Sequence, residues 1–302
     1  MSDTTRTMAV VGLGSMGAGM ARSILRAGHD VYGVDLDEAA MGRFRDEGGA
    51  PGDVDAAAAE IDVLVLVVLN AAQTEAVLFG DDGWAPRLSR GATIVSCATV
   101  PPAFARAAAE RCADMGLHYL DAPISGGAAK AAEGRLTIMA SGSGEAFAGA
   151  RAMLDACAET VFELSEEPGQ GSAMKAINQL LAGVHIAALA EAMTFGITQG
   201  VDPAQVMEVI PKCAGTSWMF ENRGPHIVEG DYTPNSMVDI WPKDLGIVLD
   251  IARASRFGAP LTAAALQQFL AASGSGLGAE DDSAVAKVYA RNAGIVLPGD
   301  AS

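Results

Sequence analysis

The stretch from Gly169 to Gly200, GQGSAMKAINQLLAGVHIAALAEAMTFGITQG, separates a first part with alternating strand and helix patterns from a second part that reads as helix and loop. Helical from Ser172 to Gln199, it would be on the order of 40 Å long. Apolar residues such as Ile177, Leu181, Ile186, Leu189, Met193 and Phe195 surround most of its circumference. A helix of that kind is buried against several partners, so the pattern predicts an internal spine joining two domains, 1–167 and 168–302. A membrane span is the other reading of so apolar a run. Lys175, His185 and Glu191 interrupt it, and a central acid costs about 2.5–3.5 kcal/mol on insertion scales.

Polar residues are rare on the spine, which makes its start conspicuous. Lys175 and Asn178 stand three apart and share one face, with Gln179 beside them. An ammonium and an amide placed there can reach one small ligand. The plain alternative is that Lys175 snorkels to solvent while Asn178 satisfies a neighbouring backbone group.

The first part builds a different kind of site. Thr7 to Leu13 is a short apolar, β-branched run ending in Gly12-Leu13-Gly14-Ser15-Met16-Gly17, and Ser15 to Ala27 has helical spacing that stops at Gly28. Strand, glycine turn and helix are the context in which G-x-G-x-x-G cradles a pyrophosphate: the glycines allow the tight turn, the close approach of backbone and the packing of helix on strand. The helix start supplies free N–H groups. The next strand, Asp30 to Val34, ends in Asp35, 18 residues beyond Gly17, where an acid bonds ribose hydroxyls. Leu36, Asp37 and Glu38 follow. A 2′-phosphate would meet three acids, so NAD is favoured over NADP.

The run Ile61 to Leu69 reads as a parallel strand covered on both faces, ending at Asn70, and Ala92 to Ser96 leads to Thr99 and a helix started by Pro101-Pro102. Ligands of doubly wound sheets sit at the carboxyl ends of strands, so Asn70 and Thr99 are placed to border the cofactor; each is equally suited to cap a helix. Strands at His118–Ala122, Thr137–Ser141 and Thr160–Leu164 follow, with a helix at Gly144–Cys157. Between the first two lies Ser125-Gly126-Gly127, whose glycine pair can present N–H groups to an anion or form a plain turn. The fold class is therefore α/β: an N-terminal Rossmann-type doubly wound sheet, then an all-α C-terminal domain joined through the long helix. Beyond the spine, helices are expected at Pro203–Ile210, Pro242–Phe257, Leu261–Ala272 and Asp282–Arg291, separated by a long aromatic-rich segment from Pro211 to Trp241, a flexible SGSGLG connector and a frayed PGDAS tail.

Composition narrows the partners. The 302 residues are half apolar, enough for a sizeable core, and the formal charge is −17 with no dense basic run, which disfavours nucleic acid and anionic membranes. An anionic substrate needs a local basic pocket. Cys97, Cys112, Cys157 and Cys213 form no CxxC pair and read as reduced thiols of a cytoplasmic protein, and MSDTTRT has no signal-peptide pattern. His29, His118, His185 and His226 form neither HxxxH nor HExxH, so no metal ligands are visible.

With these residues in place the sequence resembles the β-hydroxyacid dehydrogenase family over essentially its whole length. The resemblance is carried by Gly12 to Gly17, by Asp121-Ala122-Pro123-Ile124-Ser125-Gly126-Gly127, by Gly169 to Asn178, and by Lys243-Asp244-Leu245. The segment from Ser217 to Arg223, with Gly230 to Pro234 and Val238 to Ile240, is similar to the branch that oxidises L-threonate with NAD. The resemblance implies that Lys175 is catalytic, Asn178 is a substrate-positioning amide, Ser125, Gly126 and Gly127 bind substrate, Thr99 lies near the nicotinamide and Lys243 reaches the cofactor. Gln179 and Ser96 depart from residues common in relatives, and Ile177 argues against a phosphogluconate substrate.

Hydride transfer from an alcohol leaves a proton, and a side-chain base is needed to take it. Lys175 is the candidate, with burial, the nicotinamide charge and Lys243 expected to favour its neutral form. Asn178 would fix the reacting hydroxyl, and the glycine loop the carboxylate of a small anionic hydroxy acid. The alternatives are a 3-hydroxyisobutyrate dehydrogenase or a semialdehyde reductase, and, in another class, a non-catalytic NAD-binding scaffold. So apolar a spine also predicts a homodimer or homotetramer.

Overall fold

A computed structural model describes residues 5–299, and the expectations for the extreme N-terminus and the last three residues of the PGDAS tail lie outside the described residues. The chain divides into two compact units, one running through Lys175 and the other from Ala176 onward. Each builds its own core.

The first unit alternates strands and helices: β1 (Thr7–Val11), α1 (Ser15–Arg26), β2 (Asp30–Val34), α2 (Glu38–Asp46), β3 (Val63–Leu66), α3 (Ala71–Phe79), β4 (Thr93–Ser96), α4 (Pro102–Asp114) and β5 (His118–Asp121). It continues with β6 (Ile124–Ser125), α5 (Gly127–Glu133), β7 (Leu136–Ser141), α6 (Gly144–Cys157) and β8 (Ala158–Ser165). The sheet runs β2-β1-β3-β4-β5-β7-β6, with β8 also paired to β7. Strands β1 to β5 pair in parallel; β7 runs antiparallel to β5 and β6 and parallel to β8.

Period-two alternation gives the sheet two cores. Met8 and Val10 of β1 pack with Met20 and Ile24 of α1 and Met153 of α6 on one face, while Ala9 and Val11 pack with Leu78 of α3 and Ala105 of α4 on the other. All four residues of β3 are buried, as a doubly covered parallel strand requires. The apolar run continues beyond Leu66, but the ladder stops there. The Val67 N–H donates to the Val11 carbonyl at 2.8 Å, and the Val67 carbonyl then forms a wall against Gly12.

The second unit is helical. Helix α7 (Gln170–Thr198) begins in the first unit and is followed by α8 (Pro203–Val209), α9 (Trp218–Glu229), α10 (Ile240–Ala254), α11 (Pro260–Ala272) and α12 (Ala286–Ala293). Ile186, Leu189 and Met193 of α7 are buried with Trp241, Leu245 and Phe269. Gly183 lets α7 and α10 approach closely: a Cβ there would lie 2.8 Å from Leu245 and 2.9 Å from Trp241 side-chain atoms. Helix α7 is long and apolar enough to cross a membrane by length and composition alone. Part of that apolar surface, Ile186, Leu189 and Met193 included, is buried in the second unit's core, while Met174, Ile177, Leu181 and Phe195 are exposed.

Two expectations change. The segment from Pro211 to Trp241 contains α9 although Pro225 lies inside it; the Ser217 side chain caps its start, Gly230 ends it in the left-handed conformation, and Phe220 and Ile227 are buried along it. The SGSGLG run, expected as a flexible connector, is a tight turn directly after α11 that kinks at Gly276, whose φ is +85°. Ser275 Oγ donates to the Ala271 carbonyl at 2.7 Å and accepts from Arg291 at 2.9 Å, which holds the turn in place.

Candidate active site

The glycine turn is shaped by close approach. Gly12 has φ +96°, and a Cβ built on it would lie 2.4 Å from the Val67 carbonyl oxygen; one built on Gly17 would lie 1.8 Å from the Gly12 oxygen. Side chains at these positions are incompatible with the turn. Gly14, the N-cap of α1, differs: its φ is −61°, no side chain caps the helix, and a Cβ there meets nothing within 4 Å. The first-turn N–H groups following it, on Ser15, Met16 and Gly17, are therefore available to an anion.

Asp35, just past β2, is locked beside this turn. Its Oδ2 accepts from the Leu13 N–H at 2.6 Å and its Oδ1 from the Asp37 N–H at 2.9 Å. An uncapped helix start with an acid alongside fits a nicotinamide dinucleotide, with N–H groups for the pyrophosphate and a carboxylate for ribose hydroxyls. Asn70 caps α3, accepting from the Gln73 N–H at 2.9 Å. Thr99 is half-buried after β4, and the cap of α4 is Pro101, so capping is not the role of Thr99.

A second cluster forms where β5, β6 and β7 meet the start of α7. Asp121, fully buried at the end of β5, accepts from four donors: Oδ2 from the N–H groups of Gly169 at 2.9 Å and Ser172 at 2.8 Å and from Ser141 Oγ at 3.2 Å, and Oδ1 from Ser172 Oγ at 2.6 Å. Burial pushes this carboxyl above the ordinary aspartate range, while the hydrogen bonds from Ser172, Gly169 and Ser141 oppose the shift. Gly171 lets the helix press onto the strands, since a Cβ there would lie 2.4 Å from the Met139 carbonyl oxygen.

This clamp places Lys175 one turn further along. Its Nζ donates to the Ile124 carbonyl at 2.8 Å, directly before Ser125. Gly126 and Gly127 follow with φ +138° and +78°, a conformation that turns the chain from β6 into α5 and that side chains disfavour. The structure thus brings Lys175 together with the Ser125-Gly126-Gly127 loop.

The second unit holds the remaining candidates. Asn178 Nδ2 donates to Gln179 Oε1 at 2.9 Å, and Gln179 Nε2 donates to Asp244 Oδ2 at 2.5 Å. Lys243 Nζ lies 2.8 Å from Asp244 Oδ1 as an ion pair. Asp121, Gln179 and Asp244 were given no role by sequence reasoning, although a lone acid within the apolar context of β5 is a readable signal of a buried network. No group of three His, Cys, Asp or Glu side chains arranged to hold a metal occurs among the described residues.

Comparison with known proteins agrees with both units. Residues 7–165 match the NAD binding domain of 6-phosphogluconate dehydrogenase, and residues 169–289 match the family described as NAD-binding of NADP-dependent 3-hydroxyisobutyrate dehydrogenase. An L-threonate dehydrogenase of Cupriavidus necator is 54% identical over 98% of this chain and 99% of that protein. This chain belongs to the β-hydroxyacid dehydrogenase family.

An L-threonate dehydrogenase of Escherichia coli K12 is 48% identical over 96% of both chains. Among solved structures, a 3-hydroxyisobutyrate dehydrogenase from Salmonella typhimurium is 48% identical, with a TM-score of 0.87 over 94% of this chain and 99% of that one. As a member of the β-hydroxyacid dehydrogenase family, the chain is a hydroxyacid oxidoreductase that uses NAD(P). Its Rossmann-type sheet and helical second unit are the family fold.

Proposed function

We propose that this β-hydroxyacid dehydrogenase oxidises L-threonate to 2-dehydro-L-erythronate, with NAD as its cofactor and Lys175 as general acid/base. The chemistry rests on one observation, the Lys175 Nζ fixed 2.8 Å from the Ile124 carbonyl beside the Ser125-Gly126-Gly127 loop. The substrate rests on the near-full-length similarity to L-threonate dehydrogenases.

The bound nicotinamide supplies the hydride acceptor. Lys175, as the neutral amine, takes the hydroxyl proton at Nζ and returns it from the ammonium in the reverse direction. The Ser125 hydroxyl and the Gly126 and Gly127 N–H groups hold the substrate carboxylate, and Asn178 orients the substrate through a hydroxyl. Gly12, Leu13, Gly14, Ser15, Met16 and Gly17 bind the pyrophosphate, Asp35 the ribose, and Asn70, Thr99 and Lys243 the remainder of the cofactor. The acids Asp35, Asp37 and Glu38 favour NAD over NADP by repelling a 2′-phosphate.

Ile177, Leu181 and Phe195, apolar and exposed on α7, support assembly as a homodimer or homotetramer. The four cysteines, free thiols throughout, suit the reducing cytoplasm.

The test is NADH formation with L-threonate, D-threonate, D-erythronate and 3-hydroxyisobutyrate, run for wild type and Lys175→Met. The expected result is a preference for L-threonate that disappears in the variant. Preference for 3-hydroxyisobutyrate would instead establish the second reading, which the similarity to the Salmonella structure favours.

A further inference from the structure

The four polar side chains of the second unit form a chain with a direction. Asn178 donates to Gln179, Gln179 donates to Asp244, and Asp244 carries the Lys243 ammonium on its other oxygen. Gln179 is 7% and Asp244 2% exposed, so bulk water does not decide how either is oriented. A carboxylate only accepts. Gln179 must therefore turn its NH2 to Asp244 and its carbonyl to Asn178, and Asn178 must turn its NH2 to Gln179. The Asn178 Oδ1 is the end that the chain leaves uncommitted. Reversing Gln179 would set acceptor against acceptor at Asp244 in a buried site, and reversing the part-buried Asn178 would set its oxygen against the Gln179 oxygen.

We propose that Gln179, oriented by Asp244, is a positioning residue that makes Asn178 present an acceptor to the substrate, and so selects hydroxy acids carrying a second, non-reacting hydroxyl beside the reacting carbon. This rests on the reading above in which Asn178 contacts substrate. An exposed acceptor suits a group that is a donor both before and after reaction. The reacting hydroxyl is not such a group: its proton goes to Lys175, its carbon gives up a hydride, and the resulting carbonyl oxygen would face Asn178 Oδ1 as a second acceptor. A neighbouring hydroxyl keeps its O–H throughout. The contact of Asn178 therefore moves from the reacting hydroxyl, where the residue pattern alone put it, to the hydroxyl next door, which in L-threonate oxidised at C2 is the one on C3.

The experiment compares L-threonate with its 3-deoxy analogue, 2,4-dihydroxybutanoate. NADH formation is measured for wild type, Gln179→Met and Asp244→Asn, and binding of both acids to NAD-loaded Lys175→Met is read by thermal shift with and without Gln179→Met. Wild type is expected to prefer L-threonate in kcat/KM by about tenfold or more, the scale of one hydrogen bond. In Gln179→Met the ratio falls toward one through KM for L-threonate, and Asp244→Asn, which frees Gln179 to reverse, moves it the same way. A merely structural role would change both acids alike. An unaltered ratio in both variants, or equal binding of the two acids to Lys175→Met, would overturn the proposal while leaving L-threonate oxidation standing. Preference for D-erythronate over L-threonate, with the Gln179-dependent binding preference intact, would overturn the L-threonate reading and support the positioning role, whereas turnover of 3-hydroxyisobutyrate alone, which has no second hydroxyl, would overturn both.

Discussion

The Nζ of Lys175 and the main-chain oxygen of Ile124 are 2.8 Å apart across 51 residues of sequence, and this bond ties the second turn of α7 to the two-residue strand β6. The side-chain nitrogen is thereby held beside Ser125. Position and proton transfer, the two parts proposed for Lys175, can be tested separately.

Lys175→Arg keeps a cation able to donate to Ile124, yet a guanidinium does not give up its proton in proteins. Turnover is expected to fall by about 10²–10⁴, the usual contribution of a positioned acid or base. NADH affinity, measured by fluorescence titration, stays within about twofold. A variant retaining most of the turnover would remove Lys175 from proton transfer.

Asp121→Asn tests the buried clamp through pH. The folded carboxyl is shifted upward, chiefly by burial. A group raised in the fold contributes stability that is complete below its unfolded value, about 3.9 for aspartate, and that is lost as pH rises through the folded value. Wild type should therefore lose stability over that window, and the neutral asparagine, which can still accept from Gly169 and Ser172, should not. Urea unfolding at a series of pH values reads the difference in slope; equal slopes would contradict the upward shift.

The glycines separate structure from binding. Gly17→Ala puts a methyl 1.8 Å from the Gly12 oxygen and is expected to destabilise by about 3 kcal/mol, the upper end for forced overpacking. Gly14→Ala meets no protein atom within 4 Å, so its melting temperature should match wild type. If the pyrophosphate lies against Gly14, the same methyl weakens NADH binding by about tenfold or more, roughly 1.4 kcal/mol. Unchanged binding in that variant would move the cofactor away from the turn.

Thiol reactivity should be uneven. Cys97, Cys112 and Cys157 are buried and Cys213 is exposed. Burial pushes the thiols of Cys112 and Cys157 up to about 12 and that of Cys97 higher still. A disulfide reagent near neutral pH is expected to titrate Cys213 alone in the native protein and all four cysteines in denaturant. Fast reaction of a second native thiol would contradict the packing.

The parts of this architecture readable in the sequence are those whose causes are local. From Thr7 to Asp35 the strand, glycine turn, helix and the acid Asp35 lie within one βαβ unit, so spacing alone places them. Lys175 and Asn178 share a helix face by periodicity. Helix α9 was hidden because Gly224 and Pro225 argue locally against a helix, whereas it is held by a buried pair from Arg223 Nε to Asp282 Oδ1 at 2.6 Å, 59 residues away. The Asp121 clamp and the Gln179–Asp244 bond were hidden for the same reason, since their partners are 51 and 65 residues distant. The strand read from Ile61 to Leu69 ends early: the Val67 N–H still donates to the Val11 carbonyl, but the Val67 carbonyl lies against the glycine turn.

The unbroken course of α7 through the boundary between the units sets an order of events during synthesis. A nascent chain released as far as Ser165 carries every strand of the sheet, but the Gly169 N–H, the Ser172 N–H and the Ser172 hydroxyl that hold Asp121 have not yet been made. Its buried carboxylate would stand with the Ser141 hydroxyl alone. The first unit therefore completes late, when the opening turn of α7 emerges, and the same turn that finishes one unit begins the helix around which the next one forms.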